Sequence, residues 1–198
     1  MSAPDSTAQI PGVSVMRPHR ADARRNFDAL LAAARDAFNR DGIDVALEDI
    51  ARQAGVGIGT LYRNFPTRSD LIEAVYVSEI EELLQAARDA SELEPWDALE
   101  TWLRRFSGYV ATKLAMLQGL NKDSEMFRVC RAAMHDAANP LFERAQAAGE
   151  IRTDTNLDDV LRLVSGVTGS HYESDEQRAR VLALALDAIR TRERSTLP

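Results

Sequence analysis

The sequence predicts an all-α fold of about nine helices, in which short elements come first and longer ones follow. Apolar residues recur at helical spacing in nearly every segment, as in Phe27, Leu30, Leu31, Ala34 and Phe38. Alternating runs of β-branched residues, which would indicate strands, are nearly absent. With 198 residues, 45% of them hydrophobic, the chain is long enough to bury a core without disulfides or metals.

The helical pattern is interrupted by glycine and proline at positions that define most of the predicted boundaries. The first helix is predicted from about 20 to 40 and ends at Gly42, where the chain takes a left-handed cap. Thr67 and Asp70 have the spacing of a capping box, which predicts the start of the fourth helix. The predicted helices after the first cover about 47–54, 58–65, 67–90, 95–119, 122–137, 139–149, 157–169 and 175–192.

Composition excludes several classes of protein. The single cysteine, Cys130, rules out a disulfide within the chain and favours a reducing, cytoplasmic setting. No run of 18 apolar residues exists, so no membrane span is predicted. The first residues lack the basic and apolar regions of a signal peptide. We therefore interpret residues 1–19 as a disordered tail and residues 193–198 as a short C-terminal tail.

Charge is unevenly distributed between the two parts of the chain. Residues 1–70 carry nine arginines, no lysine and nine acidic residues, so the net charge of −7 belongs wholly to residues 71–198. Arginine suits planar contacts with phosphate or guanine, although a GC-rich genome would produce the same bias. The acidic total therefore does not exclude a nucleic-acid surface in the first part.

The stretch AGVGIGTLYRNFPTRSDL, residues 54–71, contains three glycines at alternate positions followed by aromatic and basic residues. A dinucleotide loop needs Gly-x-Gly-x-x-Gly after a strand, and here the spacing differs and the preceding segment is helical. A phosphate-binding Walker loop needs Gly-Lys-Ser/Thr, which is absent. The pattern instead predicts a helix-turn-helix, with a turn at Gly55 between two amphipathic helices.

The third predicted helix has an inward face of Ile58, Leu61 and Phe65, so its other face is available for DNA. Thr60 suits a thymine methyl, Arg63 suits guanine, and Asn64 suits adenine or phosphate. Tyr62 and Arg68 suit phosphate, which positions the protein without reading sequence. A hairpin with a merely solvated polar face is the alternative. The predicted DNA contacts are Leu47, Gly57, Gly59, Thr60, Tyr62, Arg63, Asn64 and Arg68.

The segment 24–76 resembles the DNA-binding domain of the TetR family of repressors. The matching residues are Ile50-Ala51, Ala54-Gly55-Val56, Gly59 through Tyr62, Phe65, Arg68 and Asp70-Leu71, in order and spacing. The chain departs from the family pattern at Ala46, where a capping threonine is usual, and at Gly57, where serine is common. Loss of the threonine cap removes about 1 kcal/mol of helix stabilisation.

The resemblance implies that residues 20–66 form the DNA-binding domain and residues 67–192 an all-α regulatory and dimerisation domain. PWDALETWLRRF and AGEIRTDTNLDDVLRLVSGVTG are similar to the SbtR-like subgroup. A homodimer is expected because operators are read in two half-sites, so that double-stranded, pseudo-palindromic DNA is the predicted partner. The interface is predicted at Leu161, Val164, Gly166, Leu182, Leu184, Leu186 and Ile189, some of which must also serve the core of one chain.

Aromatic and sulfur-containing side chains of the middle helices are candidates for lining an effector pocket. Such residues at helical spacing also form ordinary cores, and that alternative stays open. They predict a mostly apolar effector, and the −7 charge argues mildly against a strongly anionic one. The candidate pocket residues are Trp102, Phe106, Tyr109, Met126, Cys130 and Met134.

No arrangement of residues favours an enzyme, a cofactor or a metal. Cys130 and His135 are five residues apart, about 140° around a helix, so their side chains do not converge. No Ser-His-Asp set or carboxylate pair is evident. The competing hypothesis is an all-α small-molecule-binding protein or enzyme whose N-terminal hairpin is only structural.

Overall fold

The computed structural model describes residues 10, 13 and 17–191. Within them lie eight α-helices: α1 Ala21–Asp41, α2 Leu47–Gln53, α3 Ile58–Asn64, α4 Arg68–Asp89, α5 Pro95–Met116, α6 Glu125–Ala147, α7 Leu157–Thr168 and α8 Asp175–Ile189. A single turn of 3-10 helix, Ala90–Glu92, follows α4. The described residues contain no strand, only an isolated bridge between Ile151 and Arg190. The all-α prediction is confirmed.

The prediction of two helices at 122–137 and 139–149 is wrong, because α6 runs unbroken through Pro140. Proline removes one backbone donor and its ring crowds the preceding turn, but the buried face of the helix continues on both sides of it and stabilises one helix. Asn139, expected to begin a new helix, instead donates its side-chain amide to Glu143 at 2.6 Å. The buried face comprises Cys130, Met134, Ala138, Leu141, Phe142 and Ala145.

The chain divides into two compact units. The first consists of Met1–Glu82 and Ala111–Ala133, and the second of Leu83–Val110 and Met134–Pro198. In the first unit α1 packs on α2, and α2 on α3. The rings of Phe27 and Phe65 lie 5.0 Å apart in this core. Gly119 approaches α4 so closely that an added Cβ would meet Ile72 Cδ1 at 2.6 Å.

The second unit has its own core, in which α7 and α8 pack against each other. Trp102 is fully buried and its indole N–H donates to the Leu83 carbonyl at 3.0 Å. Ser107 of α5 and Thr168 of α7 share a buried hydrogen bond of 2.8 Å between their hydroxyls. The paired hydroxyls satisfy each other, which limits the cost of burying them.

Candidate nucleic-acid interface

The turn between α2 and α3 is built from backbone hydrogen bonds that require a glycine. The Val56 amide donates to the Ala51 carbonyl at 3.0 Å and the Gly55 amide to the Arg52 carbonyl at 3.1 Å. This is the Schellman arrangement, in which the glycine takes a positive φ, here 70°. Gly55 thereby sets the angle at which α3 leaves α2, as the sequence predicts.

The inward face of α3 is anchored by Leu61 and Phe65, both buried, whereas Ile58 is only half-buried. The opposite face is exposed, with the Tyr62 side chain 46% exposed and Arg63 exposed beside it. Neither of these two side chains makes a hydrogen bond or ion pair within the part of the chain that the structure describes. An arginine and a tyrosine are thus both available to a partner.

Gly57 and Gly59 lie on this exposed face, and the fold does not require glycine at either position. Gly57 precedes α3 with an ordinary φ of −72°. A Cβ added to either glycine would meet no atom within 4 Å. Glycine in a helix costs about 0.5–1 kcal/mol relative to alanine. The absence of side chains leaves the backbone at both positions open on the exposed face.

Asn64 and Arg68, two of the predicted DNA contacts, are engaged within the protein. The Asn64 amide donates to the Thr60 carbonyl at 2.8 Å. The Arg68 guanidinium donates to the carbonyls of Ile43 and Val45 at 2.6 and 2.7 Å. Arg68 therefore ties the start of α4 to the segment before α2. Sequence patterns miss this role because the acceptors are backbone atoms more than twenty residues away.

Leu47, a predicted DNA contact at the start of α2, has a buried side chain. The Leu47 side chain is only 6% exposed and lies in the core, so that only its backbone remains for a contact. Ala46 occupies the N-cap of α2 with no side-chain hydrogen bond, as the departure from the family pattern implies.

The capping box of α4 is confirmed. The Thr67 amide donates to the Asp70 carboxylate at 2.8 Å, and the Asp70 amide donates to the Thr67 hydroxyl at 3.1 Å.

The segment before α1 lies beside the end of α3, which the sequence did not predict. Arg17 Nη2 donates to Glu81 Oε2 of α4 at 2.5 Å, and Arg17 Nη1 lies 3.6 Å from Asp28 Oδ1 of α1. Together with His19, it lines a cleft of about 730 Å³ that Arg63 also lines. The rest of the predicted tail, residues 1–9, 11–12 and 14–16, lies outside the described residues, as do residues 192–198.

The six residues predicted to line an effector pocket fall in two different units. In the second, the rings of Trp102 and Phe106 are stacked at 5.5 Å, those of Phe106 and Tyr109 lie 5.7 Å apart, and Met134 is buried. In the first, Cys130 Sγ lies 3.8 Å from Met126 Sδ. Burial raises the pKa of the Cys130 thiol to about 12, with the charge of Glu81 adding to the effect.

Of the residues predicted at a dimer interface, most belong to the core of the second unit. Two of them are exposed: Leu184, at 66%, and Gly166, where an added Cβ would meet no atom within 4 Å. Leu163, absent from the prediction, is 39% exposed on α7. Helical periodicity cannot tell an apolar core face from an apolar interface face. The buried residues are Leu161, Val164, Leu182, Leu186 and Ile189.

Among residues 10, 13 and 17–191, no group of three or more potential ligands could hold a metal ion. His135 Nε2 lies 3.5 Å from Asp158 Oδ1 of α7, and both side chains are partly exposed on the second unit. No helix in the same residues is long and apolar enough to cross a membrane.

A seven-residue helix, a glycine turn and a second seven-residue helix with a free basic and aromatic face define a helix-turn-helix, the element of DNA-binding transcriptional regulators. Comparisons with known proteins specify the family. Residues 30–75 match the model of bacterial regulatory proteins of the tetR family, and residues 94–191 match the SbtR-like C-terminal domain of transcriptional regulators. The chain belongs to the TetR family, and the resemblance drawn from the sequence is confirmed.

Solved structures support the same assignment along most of the chain. A TetR transcriptional regulator of Streptomyces coelicolor is 40% identical, with a TM-score of 0.73 over 84% of this chain and 99% of that one. A TetR regulatory protein of Mycobacterium vanbaalenii is 30% identical, with a TM-score of 0.69 over 88% and 100%. An HTH-type transcriptional regulator of Staphylococcus aureus is 38% identical over 53 residues, which cover 26% of this chain but only 29% of that protein.

Proposed function

We propose that this protein is a homodimeric repressor that binds a pseudo-palindromic DNA operator through α3 and is released by a small-molecule effector. The observation that carries the DNA contact is the outward face of α3. It presents two glycines that the fold does not require, next to Tyr62 and Arg63. A face of this kind suits close approach to a duplex. In this proposal residues 20–66 are the DNA-binding domain, residues 67–192 are the regulatory domain, and the protein acts in the cytoplasm.

Contacts to DNA divide into those that read bases and those that hold the protein in place. Arg63 reaches O6 and N7 of a guanine in the major groove, and Thr60 contacts a thymine methyl group. Tyr62 donates its hydroxyl to a phosphate. Arg68 acts indirectly, since its guanidinium holds the Ile43 and Val45 carbonyls and thereby fixes the start of α2. Asn64 keeps its side-chain oxygen as an acceptor while its amide bonds to Thr60.

In this proposal dimerisation uses exposed residues of α7 and α8, among them Leu163, Gly166 and Leu184. Leu184 is 66% exposed and Leu163 is 39% exposed, so both side chains are accessible to a second surface. A second copy of the chain is that surface in this proposal. Two recognition helices about 34–36 Å apart would then enter successive major grooves.

The effector is a small molecule that binds the helices of the regulatory domain and favours a state that does not bind DNA. It shifts the equilibrium only by its preference for that state. A coupling of about 1–3 kcal/mol lowers operator affinity about 5–150-fold. The walls proposed for it are the predicted residues that lie in the second unit, Trp102, Phe106, Tyr109 and Met134, which favour a mostly apolar body.

The test is selection of bound duplexes from a random DNA pool by the purified full-length protein. The expected result is an enriched sequence with two related half-sites, bound with an affinity that falls steeply as salt is raised. Arg63→Ala should lower the affinity for the enriched sequence and relax the preference at one base pair per half-site. Arg178→Ala, an equal change of charge at an exposed position of α8, should preserve both. Failure to enrich any sequence at low salt would refute the proposal and favour the alternative of a helical small-molecule-binding protein.

A further inference from the structure

Three methionines lie among the residues that the structure describes, and one of them differs from the other two in exposure. Met116 and Met134 are buried, at 0% and 7%. Met126, in the first turn of α6, is half-buried and lines the cleft of about 730 Å³ beside the end of α3. Among residues 17–191 its thioether is therefore the methionine sulfur that a small molecule in solution reaches most easily.

A thiol lies beside this sulfur. Cys130 follows Met126 by four residues, which is about one turn of helix, and its Sγ–H donates to Met126 Sδ at 3.8 Å. A thioether is only a weak acceptor, whereas the oxygen of a sulfoxide makes the side chain polar. An oxygen added to Met126 Sδ would thus have a hydrogen-bond donor next to it.

The two sulfurs differ in reactivity, and the difference favours Met126. A cysteine reacts with peroxides as the thiolate, and burial raises the pKa of the Cys130 thiol to about 12, which suppresses that form. A thioether needs no ionisation, so its exposure governs its oxidation. Cys130 is 0% exposed, whereas Met126 faces the cleft. We therefore expect peroxide to attack the methionine and spare the cysteine.

The position of Met126 connects this chemistry with the face that we assign to DNA. The same cleft is lined by the apolar side chains of Phe27, Phe65 and Val77 and by Arg63. Phe65 is the C-cap of α3, the helix that carries Arg63. A polar sulfoxide packs less favourably against apolar neighbours than a thioether does. Oxidation would therefore disturb packing at the end of the helix that contacts DNA.

We propose that Met126 is a site of oxidation by hydrogen peroxide and that its oxidation lowers the affinity for operator DNA. Peroxide transfers one oxygen atom to Sδ: the O–O bond breaks, an S–O bond forms, and the second oxygen leaves as water. The sulfur loses two electrons, which reduce the peroxide. Methionine sulfoxide reductases reverse this oxidation. The oxidation site does not rest on the proposed function, whereas its effect on operator binding does.

Peptide mass spectrometry on the full-length protein tests the oxidation site. The folded protein is treated with dilute hydrogen peroxide, and the gain of one oxygen atom is followed at Met116, Met126 and Met134. Met126 should be oxidised at least about tenfold faster than the other two, because a buried methionine reacts only when the fold opens locally. The urea-denatured protein, in which the three should react alike, is the control. Equal rates in the folded protein, or oxidation of Cys130 before Met126, would overturn the proposal.

Operator affinity before and after oxidation tests the consequence. Oxidation should lower it at least about fivefold, and methionine sulfoxide reductases should restore it. Met126→Leu removes the sulfur at nearly constant volume and should abolish the response to peroxide, whereas Cys130→Ala should keep it. Met126→Gln, which carries a polar oxygen without oxidation, should lower the affinity in the absence of peroxide. A response that persists in Met126→Leu, or is lost in Cys130→Ala, would overturn the assignment to Met126.

The inference and the proposed function fail separately. Operator DNA is selected with the protein kept reduced. If DNA is selected and oxidation of Met126 leaves its affinity unchanged, the inference fails and the proposed function stands. If Met126 is oxidised selectively but the reduced protein selects no DNA sequence, the proposed function fails together with the effect on operator binding, and the oxidation site stands.

Discussion

Replacing Gly59 with alanine should stabilise the protein and weaken its DNA binding at the same time. Gly59 lies within α3, and a Cβ added there would meet no atom within 4 Å. The substitution removes conformational freedom from the unfolded chain without creating a clash. It should raise the free energy of unfolding by about 0.5–1 kcal/mol, which corresponds to an increase in Tm of about 1–4 °C for a chain of this size.

The same methyl group would stand on the face that we assign to DNA. If the duplex approaches the α3 backbone there, the methyl group must push it away or displace a phosphate contact. A loss of about 1.4 kcal/mol is a tenfold lower affinity, and each half-site of a dimer would contribute its own loss. Thermal unfolding and fluorescence anisotropy with the selected operator measure the two effects independently.

Gly108→Ala is the matched control for this prediction. Gly108 is an exposed glycine inside α5, where an added Cβ would meet only Arg105 Nη1, at an ordinary 3.5 Å. This variant should gain a similar stability and keep the operator affinity of the natural protein. Unchanged or tighter DNA binding by Gly59→Ala would refute the argument that the glycines of α3 serve a close approach to DNA.

Three further substitutions test separate parts of the structure. Leu184→Arg should give a folded monomer in sedimentation, because its side chain is 66% exposed, whereas Leu161→Arg at 7% should unfold the protein. Arg63→Ala should relax preference at one base pair per half-site, costing about 1–3 kcal/mol, while Arg68→Ala should weaken binding to all sequences alike. Cys130 should resist peroxide and alkylation near neutral pH, since a thiol with a pKa of about 12 is almost wholly protonated; rapid labelling of the native protein would contradict this.

The helix-turn-helix was predictable because each of its determinants is local. Gly55 takes the positive φ that the turn needs, Thr67 and Asp70 bond to each other within one turn, and Leu61 and Phe65 follow helical spacing. Where a determinant was not local, prediction failed. Pro140 predicted a helix boundary because proline has no backbone N–H to donate. The buried face continues on both sides of Pro140, and α6 is a single helix.

By itself the sequence determined the all-α class, the position of the turn and the family, because periodicity, caps and motif spacing are properties of neighbouring residues. Only the tertiary structure decided what each side chain does. It placed Leu47 in the core, engaged Arg68 with backbone carbonyls more than twenty residues away, and left Leu184 exposed among buried leucines. It also brought Lys113 over the ring of Phe127. Burial and long-range contacts depend on which surfaces meet, and a one-dimensional pattern does not contain that information.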